Sequence, residues 1–330
     1  MLRAALRTIT QCELEKAGMR DDLICIGLTT LDVVGLPVDT FPGDGLALVE
    51  EATIAPAGTA AGTAYIAATL GVRAAVASQV GTDPAGRAVQ VLLQERGVDP
   101  RLLATHPSIP TSTTIILVRS SGERSRFHAL GASTVMTISD EIKEAVRRAP
   151  FVHYAAVGAT HMDGGPGRDL LAIARNSGAT ITCDLISPRP GAGEELGRLL
   201  PYVDYFMPNA SEALALSGTT SLEDASQRFM AMGARSCILK DGANGSLFVT
   251  PSSTKRVAAH AISPRDTTSC GDSYCAGFIA ARLRGADEEG ACRLATAVAA
   301  LVAQGPGTLG KLEGYNQAEI YARSAPLHRP

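Results

Sequence analysis

Short apolar runs alternate with helical segments of ten or more residues along most of this chain, and few architectures accept that order. DLICIGL (residues 22–28) reads as a buried strand ending in glycine. TAAGTAYIAATLG (59–71) follows as a helix rich in small residues and closed by Gly71. RAAVASQVG is a strand, DPAGRAVQVLLQERG a helix stopped by Gly97, FVHYAAVG a strand, GRDLLAIARNSG a helix and ATITCDL a strand. VDYFMPN is a strand running into the helix ASEALALSG, then come the helix SLEDASQRFMAMGA and the strand RSCILK. Such alternation predicts βαβ units and a doubly wound, mostly parallel sheet sandwiched by helices. With 330 residues the chain can bury one large α/β core and carry an accessory piece. Fixed-period repeats and low-complexity tracts are absent from the sequence.

Two stretches break the alternation. Residues 33–55 lack a helical period and contain Pro37, Pro42 and Gly43. Residues 112–129 hold two polar/apolar alternating runs around Ser121-Gly122, the pattern of a hairpin. Neither suits a buried parallel sheet. Together they are expected to form a small β-sheet lid, although two unrelated surface loops would also read this way. A lid matters for chemistry on reactive phosphates because it excludes water.

Charge and composition narrow the function. The formal net charge is −3 and the 30 Lys and Arg are scattered, so no nucleic-acid or anionic-membrane footprint is expected. No run of about 18 apolar residues predicts a transmembrane helix. Seven cysteines, an odd number without a C-x-x-C pair, mostly lie in apolar segments and suit a reducing cytoplasm. Residues 1–20 carry no long apolar core of a signal peptide; they read as an N-terminal extension before a domain spanning 21–330.

DTTSCGDSYCAGF (266–278) is the most informative stretch. Thr267, Thr268, Ser269 and Gly271 form a small-residue turn, and AGFIAARLRG after it reads as a helix ending at Gly285. Free N–H groups at such a turn, with the helix dipole, make an anion site suited to phosphate. Asp272 could be a plain first-turn acid complementing the dipole. It could equally be a base at the mouth of that site, taking the proton of an attacking hydroxyl in phosphoryl transfer. A thiol at a helix start, Cys270, is expected to have a lowered pKa.

The stretch resembles the C-terminal signature of the ribokinase-like (PfkB) family of carbohydrate kinases, Asp-Thr-x-x-x-Gly-Asp followed by a helical Gly. It matches at Asp266, Thr267, Gly271, Asp272 and Gly277. The resemblance runs in order from about residue 22 to 325. It implies a ribokinase-like α/β sandwich with a β lid, ATP and Mg²⁺ as cofactors, Asp272 as catalytic base and an anion hole at Ser269, Cys270 and Gly271. The implied reaction is ATP-dependent phosphorylation of a hydroxyl on a sugar or sugar-containing molecule. A nucleoside kinase of the same family and a non-catalytic sugar- or nucleotide-binding relative are the alternatives. A dinucleotide-binding dehydrogenase is excluded because no G-x-G-x-x-G follows the first strand.

Other positions carry over from the resemblance one by one. Asp32, in GLTTLDVVG, matches the aspartate that binds sugar hydroxyls. In APAGTAAGTA, Ala57 replaces the first glycine of a family pair, Gly58 keeps the second, and Gly62 stands where an asparagine would contact the sugar. The missing side chain leaves room, so a larger acceptor than ribose is expected. Asn209 and Glu212 match the family Asn-x-x-Glu beside the nucleotide phosphates and hydrated Mg²⁺; read alone, they are a helix cap and its capping-box partner. Lys240, Gly242 and Gly245 match a strand–turn–strand beside ATP, and Thr296 a position near adenine. Asp266 and Thr268 match a loop that holds a monovalent cation, K⁺. Asp184 and Arg189, in CDLISPRP, are left between structural and functional roles. The implied partners are a small sugar or nucleoside substrate and a second copy of the chain, in a homodimer through the lid.

Overall fold

The computed structural model describes residues 21–159 and 161–328; the extension assigned to residues 1–20 lies outside them. The strands are β1 (Leu23–Gly27), β2 (Thr30–Leu36), β3 (Glu51–Ala57), β4 (Ala74–Gly81), β5 (Leu103–His106), β6 (Thr113–Val118) and β7 (Arg124–Ala129). They continue with β8 (Phe151–Val157), β9 (Thr180–Leu185), β10 (Tyr205–Phe206), β11 (Ser236–Lys240), β12 (Ser246–Thr250) and β13 (Ser253–Val257). The helices are α1 (Ala61–Thr69), α2 (Pro84–Glu95), α3 (Asp140–Arg148), α4 (Pro166–Asn176) and α5 (Ala192–Leu199). After them come α6 (Ala210–Ser217), α7 (Leu222–Ala231), α8 (Cys270–Leu283), α9 (Glu288–Ala303) and α10 (Tyr315–Ser324).

Nine strands form the main sheet in the order β13-β12-β11-β10-β9-β8-β1-β4-β5. Pairing is parallel from β5 to β11 and antiparallel at the β11–β12 and β12–β13 hairpins. The apolar runs are continuous because both faces are covered. Leu23 and Cys25 of β1 point into a core built with α1, α2, α8 and α9, whereas Ile24 and Ile26 point into a second core with α3 to α7.

The two stretches that break the alternation form a separate four-stranded sheet, β3-β2-β6-β7, the expected lid. Its β2–β3 and β6–β7 pairs are antiparallel and its central β2–β6 pair is parallel. Val34, Leu36, Ile116 and Val118 make a small core on one face. The sheet begins earlier than the sequence suggested: β2 starts at Thr30, so Asp32 sits on a strand rather than in a loop. The helix read as AGFIAARLRG also starts earlier, at Cys270. Ser269 precedes it in the left-handed region, with φ 55°, the only non-glycine with positive φ among the described residues. That turn places Asp272 third in the helix, inside its first turn.

Candidate active site

Ligands of open α/β sheets bind beyond the carboxyl ends of the strands, and the main cavity lies there. It holds about 600 Å³, within the range of small-molecule sites. Asp184 near the end of β9 and Lys240 at the end of β11 face it. So do Asn209 and Glu212 at the start of α6, and Ser269, Cys270, Gly271 and Asp272 at the start of α8. Gly242, Gly245 and Thr296 complete one side, and Arg124 and Arg126 of the lid look in from another. Residues far apart in sequence meet in one site because parallel strands share a carboxyl edge.

Asp272 stands at the floor of this cavity. Burial pushes its carboxyl up to about 7; Lys240 opposes the shift, and the charges of Asp184 and Asp32 add to it. The group therefore changes charge near neutrality, where a proton acceptor is most useful. Cys270 N donates to the Thr267 carbonyl at 3.4 Å, whereas the N–H groups of Gly271 and Asp272, next in the first turn of α8, have no carbonyl one turn earlier to bond. No side chain caps this helix, so its N-terminal dipole faces the cavity unsatisfied.

Lys240 and Asp184 form a buried ion pair beneath that turn. Lys240 Nζ donates to Asp184 Oδ2 at 2.5 Å, and Cys275 Sγ lies 3.5 Å from the same oxygen. Burial disfavours the ammonium, yet Asp184, Cys275 and Glu212 outweigh it and hold the Lys240 pKa above the ordinary value. Asn209 and Glu212 form the capping box read from the sequence: Glu212 N donates to Asn209 Oδ1 and Asn209 N to Glu212 Oε2, each at 2.9 Å. Burial, then Asp184, pushes Glu212 up to about 7. Asp184, Glu212 and Asp272 thus share a region with one ammonium, an arrangement short of positive charge.

On the lid side, Thr30 Oγ1 donates to the buried Asp32 Oδ1 at 2.7 Å, and Thr114 Oγ1 meets His128 Nδ1 at 3.1 Å. Burial raises the Asp32 pKa against the hydrogen bonds of Thr30 and Thr114. Gly58 adopts φ 87°, and a Cβ there would stand 2.7 Å from the Leu28 carbonyl. Gly62 lies against the base itself: a Cβ would come within 3.1 Å of Asp272 Oδ2. The space expected to admit a larger acceptor is occupied by that carboxylate, so the size argument drawn from Gly62 does not hold.

Asp266 is buried and latched. Its Oδ1 accepts from Thr268 N and Oγ1 at 2.8 and 2.6 Å, and its Oδ2 from Gly307 N at 2.9 Å. Thr296 Oγ1 donates to the Arg293 carbonyl at 2.9 Å within α9. Cys270 departs from expectation. Burial pushes its thiol up to about 12, and Arg124 only partly opposes this. Sequence reasoning passed over Arg124, Arg126, Thr114 and His128. The alternation of Arg124, Arg126 and His128 in RSRFHA was visible, as was Thr114 in TTIILV, but not which face looks inward.

The model of the pfkB family of carbohydrate kinases matches residues 20–313. The chain belongs to that family. As a pfkB-family protein it is a carbohydrate kinase, and its relatives act on several acceptors. It is 26% identical over 265 residues to a fructokinase of Vibrio alginolyticus, covering 76% of this chain and 82% of the relative. It is 26% identical over 298 residues to a nucleoside kinase of Methanothermobacter thermautotrophicus, covering 87% and 91%. An ATP-dependent ribose-1-phosphate kinase of Halopiger xanaduensis is 28% identical over 276 residues, covering 82% and 88%. The ribokinase of Arabidopsis thaliana, solved with ribose and ATP, superposes with a TM-score of 0.75 at 22% identity, covering 92% of this chain and 99% of its own. A ribokinase II candidate of Escherichia coli, solved with ATP and Mg²⁺, gives 0.79 at 21% identity, covering 92% and 99%. These likenesses establish the ribokinase-like fold with its lid.

Proposed function

We propose that this pfkB-family kinase transfers the γ-phosphoryl group of ATP to a hydroxyl of a sugar or sugar-containing molecule, with Asp272 as base. The observation that carries this is the placement of Asp272: a carboxyl that titrates near 7, in the first turn of an uncapped helix, within one cavity with Lys240 and Asn209. The acceptor hydroxyl lies against Asp272 and gives up its proton as its oxygen bonds to the γ-phosphorus. The bond from that phosphorus to the bridging oxygen breaks, and ADP leaves. The N–H groups of residues 269–272 hold the transferred oxygens, and Lys240 supplies positive charge beneath them. Asp32 binds acceptor hydroxyls from the lid, beside Gly58 and Gly62, the latter in the first turn of α1. Asn209, Gly242, Gly245 and Thr296 border the nucleotide.

Mg²⁺ suits the donor set. Glu212 is a carboxyl raised by burial and by Asp184. Among the described residues, no group of three or more His, Cys, Asp or Glu could hold a metal alone. A cation kept in its waters, held by Glu212 and the substrate phosphates, fits that pattern; when bound it neutralises phosphate charge. Asp266 and Thr268 are proposed to border a K⁺ site, because Asp266 Oδ2 accepts a bond from Gly307 N and a carboxylate oxygen has a second lone pair to offer.

A nucleoside acceptor is the second reading, supported by the nucleoside kinase among the relatives. We also propose a homodimer through the lid. Its support is the outer lid face, where Ile54, Ile115 and Phe127 are about half exposed and Phe41 packs edge-on to Phe127. No helix among the described residues is long and apolar enough to cross a membrane; a cytoplasmic location remains part of the proposal, drawn from the cysteine usage. Acceptor-dependent ADP release, measured across sugars, sugar derivatives and nucleosides with Mg²⁺–ATP, tests the reading. Release with at least one class is expected, and none with any class would overturn it.

A further inference from the structure

The lid strand β7 carries Arg124, Arg126 and His128 at alternate positions, on one face. Their partners across the β6–β7 ladder are Val118, Ile116 and Thr114. Ile116 and Val118 are buried, so this is the covered face of the lid. Both arginines line the main cavity, and both line a neighbouring cavity of about 540 Å³ with Arg119 and Thr267. Arg124 Nη1 lies 3.4 Å from Thr268 Oγ1.

Among the described residues neither guanidinium has a carboxylate partner at ion-pair distance, although most other described arginines do. Glu123 reaches Arg119 at 4.0 Å, and Glu51 reaches Arg265 at 3.5 Å. The carboxylate that acts on Arg124 is Asp266, which already accepts three hydrogen bonds. Burial of Arg124, with Arg126 beside it, lowers its pKa. Two like charges side by side, the half-buried Arg124 and the exposed Arg126, are unfavourable until an anion comes between them. Guanidinium groups offer paired N–H donors that match phosphate and carboxylate oxygens.

Resting on the kinase reading above, we propose that Arg124 and Arg126 form an oxyanion subsite for the acceptor, which is a sugar derivative already bearing a phosphate or carboxylate group. The transferred phosphoryl group is a poorer occupant. It has its own donors, Lys240 and the start of α8; both arginines line the same cavity, but they ride on the sheet that carries Asp32 and Thr114, on the same face. A neutral sugar would leave the pair uncompensated.

The test compares ADP release with neutral sugars, their monophosphates and the corresponding sugar acids, for wild type, Arg126→Ala and Arg124→Gln. One anionic class should exceed its neutral parent in kcat/KM, and the preferred class identifies the oxyanion as phosphate or carboxylate. Each variant should raise KM for that acceptor at least about 10-fold, the scale of a lost charged hydrogen bond, while KM for ATP stays within about twofold. Melting curves check that the variants fold; Arg126 is exposed, so Arg126→Ala should melt with wild type. A neutral sugar or nucleoside as best acceptor would overturn the subsite and leave the kinase reading standing. So would a rise in KM for ATP as large as that for the acceptor. Absence of ADP release with every acceptor would instead count against the kinase reading, and the subsite would fall with it.

Discussion

Lys240 Nζ donates to Asp184 Oδ2 at 2.5 Å across two strands that are not neighbours, β11 and β9, with β10 between them. Both side chains are at least nine-tenths buried. A buried pair contributes little against an apolar replacement of both partners, but removing one leaves an uncompensated charge. Here the orphaned carboxylate would also face Glu212 and Asp272. Lys240→Met should therefore lower stability by about 3–5 kcal/mol. The double variant Lys240→Met/Asp184→Leu should recover most of that. Urea denaturation with unchanged m checks both, and a double variant as unstable as the single one would contradict the pairing.

Cys270 should behave as an inert thiol. Burial pushes it up to about 12, which leaves almost no thiolate at neutral pH, and the thiolate is the nucleophile. Iodoacetamide at neutral pH should leave Cys270 unmodified in the native protein and modify it in urea, as read by peptide mass. Rapid native labelling at Cys270 would show that the helix start governs it after all.

Much of the fold was legible because its causes are local. LICIG carries no polar side chain since residues 23–27 are buried on both faces, and the polar/apolar alternation of TTIILV and RSRFHA marks the hairpin seen as β6 and β7. The start of α8 was misplaced because Cys270-Gly271-Asp272 has turn composition; the left-handed Ser269 that admits the helix there has no sequence mark. The Lys240–Asp184 pair, 56 residues apart, needed the strand order. The thiol of Cys270 was misjudged for a related reason: a dipole follows from a helix start, whereas desolvation depends on neighbours distant in sequence, such as the Ala299 carbonyl of α9, 3.8 Å from Sγ. Gly62 read as lost volume, and only the fold shows the Asp272 carboxylate in that space.

Asp272 should make stability fall with pH. The folded carboxyl titrates near 7, and its ordinary value is 3.8. Between those values the folded chain holds a proton that the unfolded chain has released. The folded state therefore loses ground as pH rises across that window, with a slope of at most about 1.4 kcal/mol for each step of one in pH. Asp272→Asn removes this dependence. Its melting temperature relative to wild type should climb as pH rises from about 5 to about 8. A difference that stays constant over that range would mean the carboxyl is not raised.

The central claim is that Asp272 accepts the proton of the acceptor hydroxyl, and turnover of Asp272→Asn tests it most directly. With the best acceptor and saturating Mg²⁺–ATP, kcat should fall by about 10² to 10⁴, with KM for ATP little changed. Wild-type kcat/KM should rise with pH through about 7, as the carboxyl loses its proton. An Asp272→Asn enzyme whose kcat stays within about threefold of wild type would contradict the claim, because a transfer that loses its base should lose at least about a hundredfold.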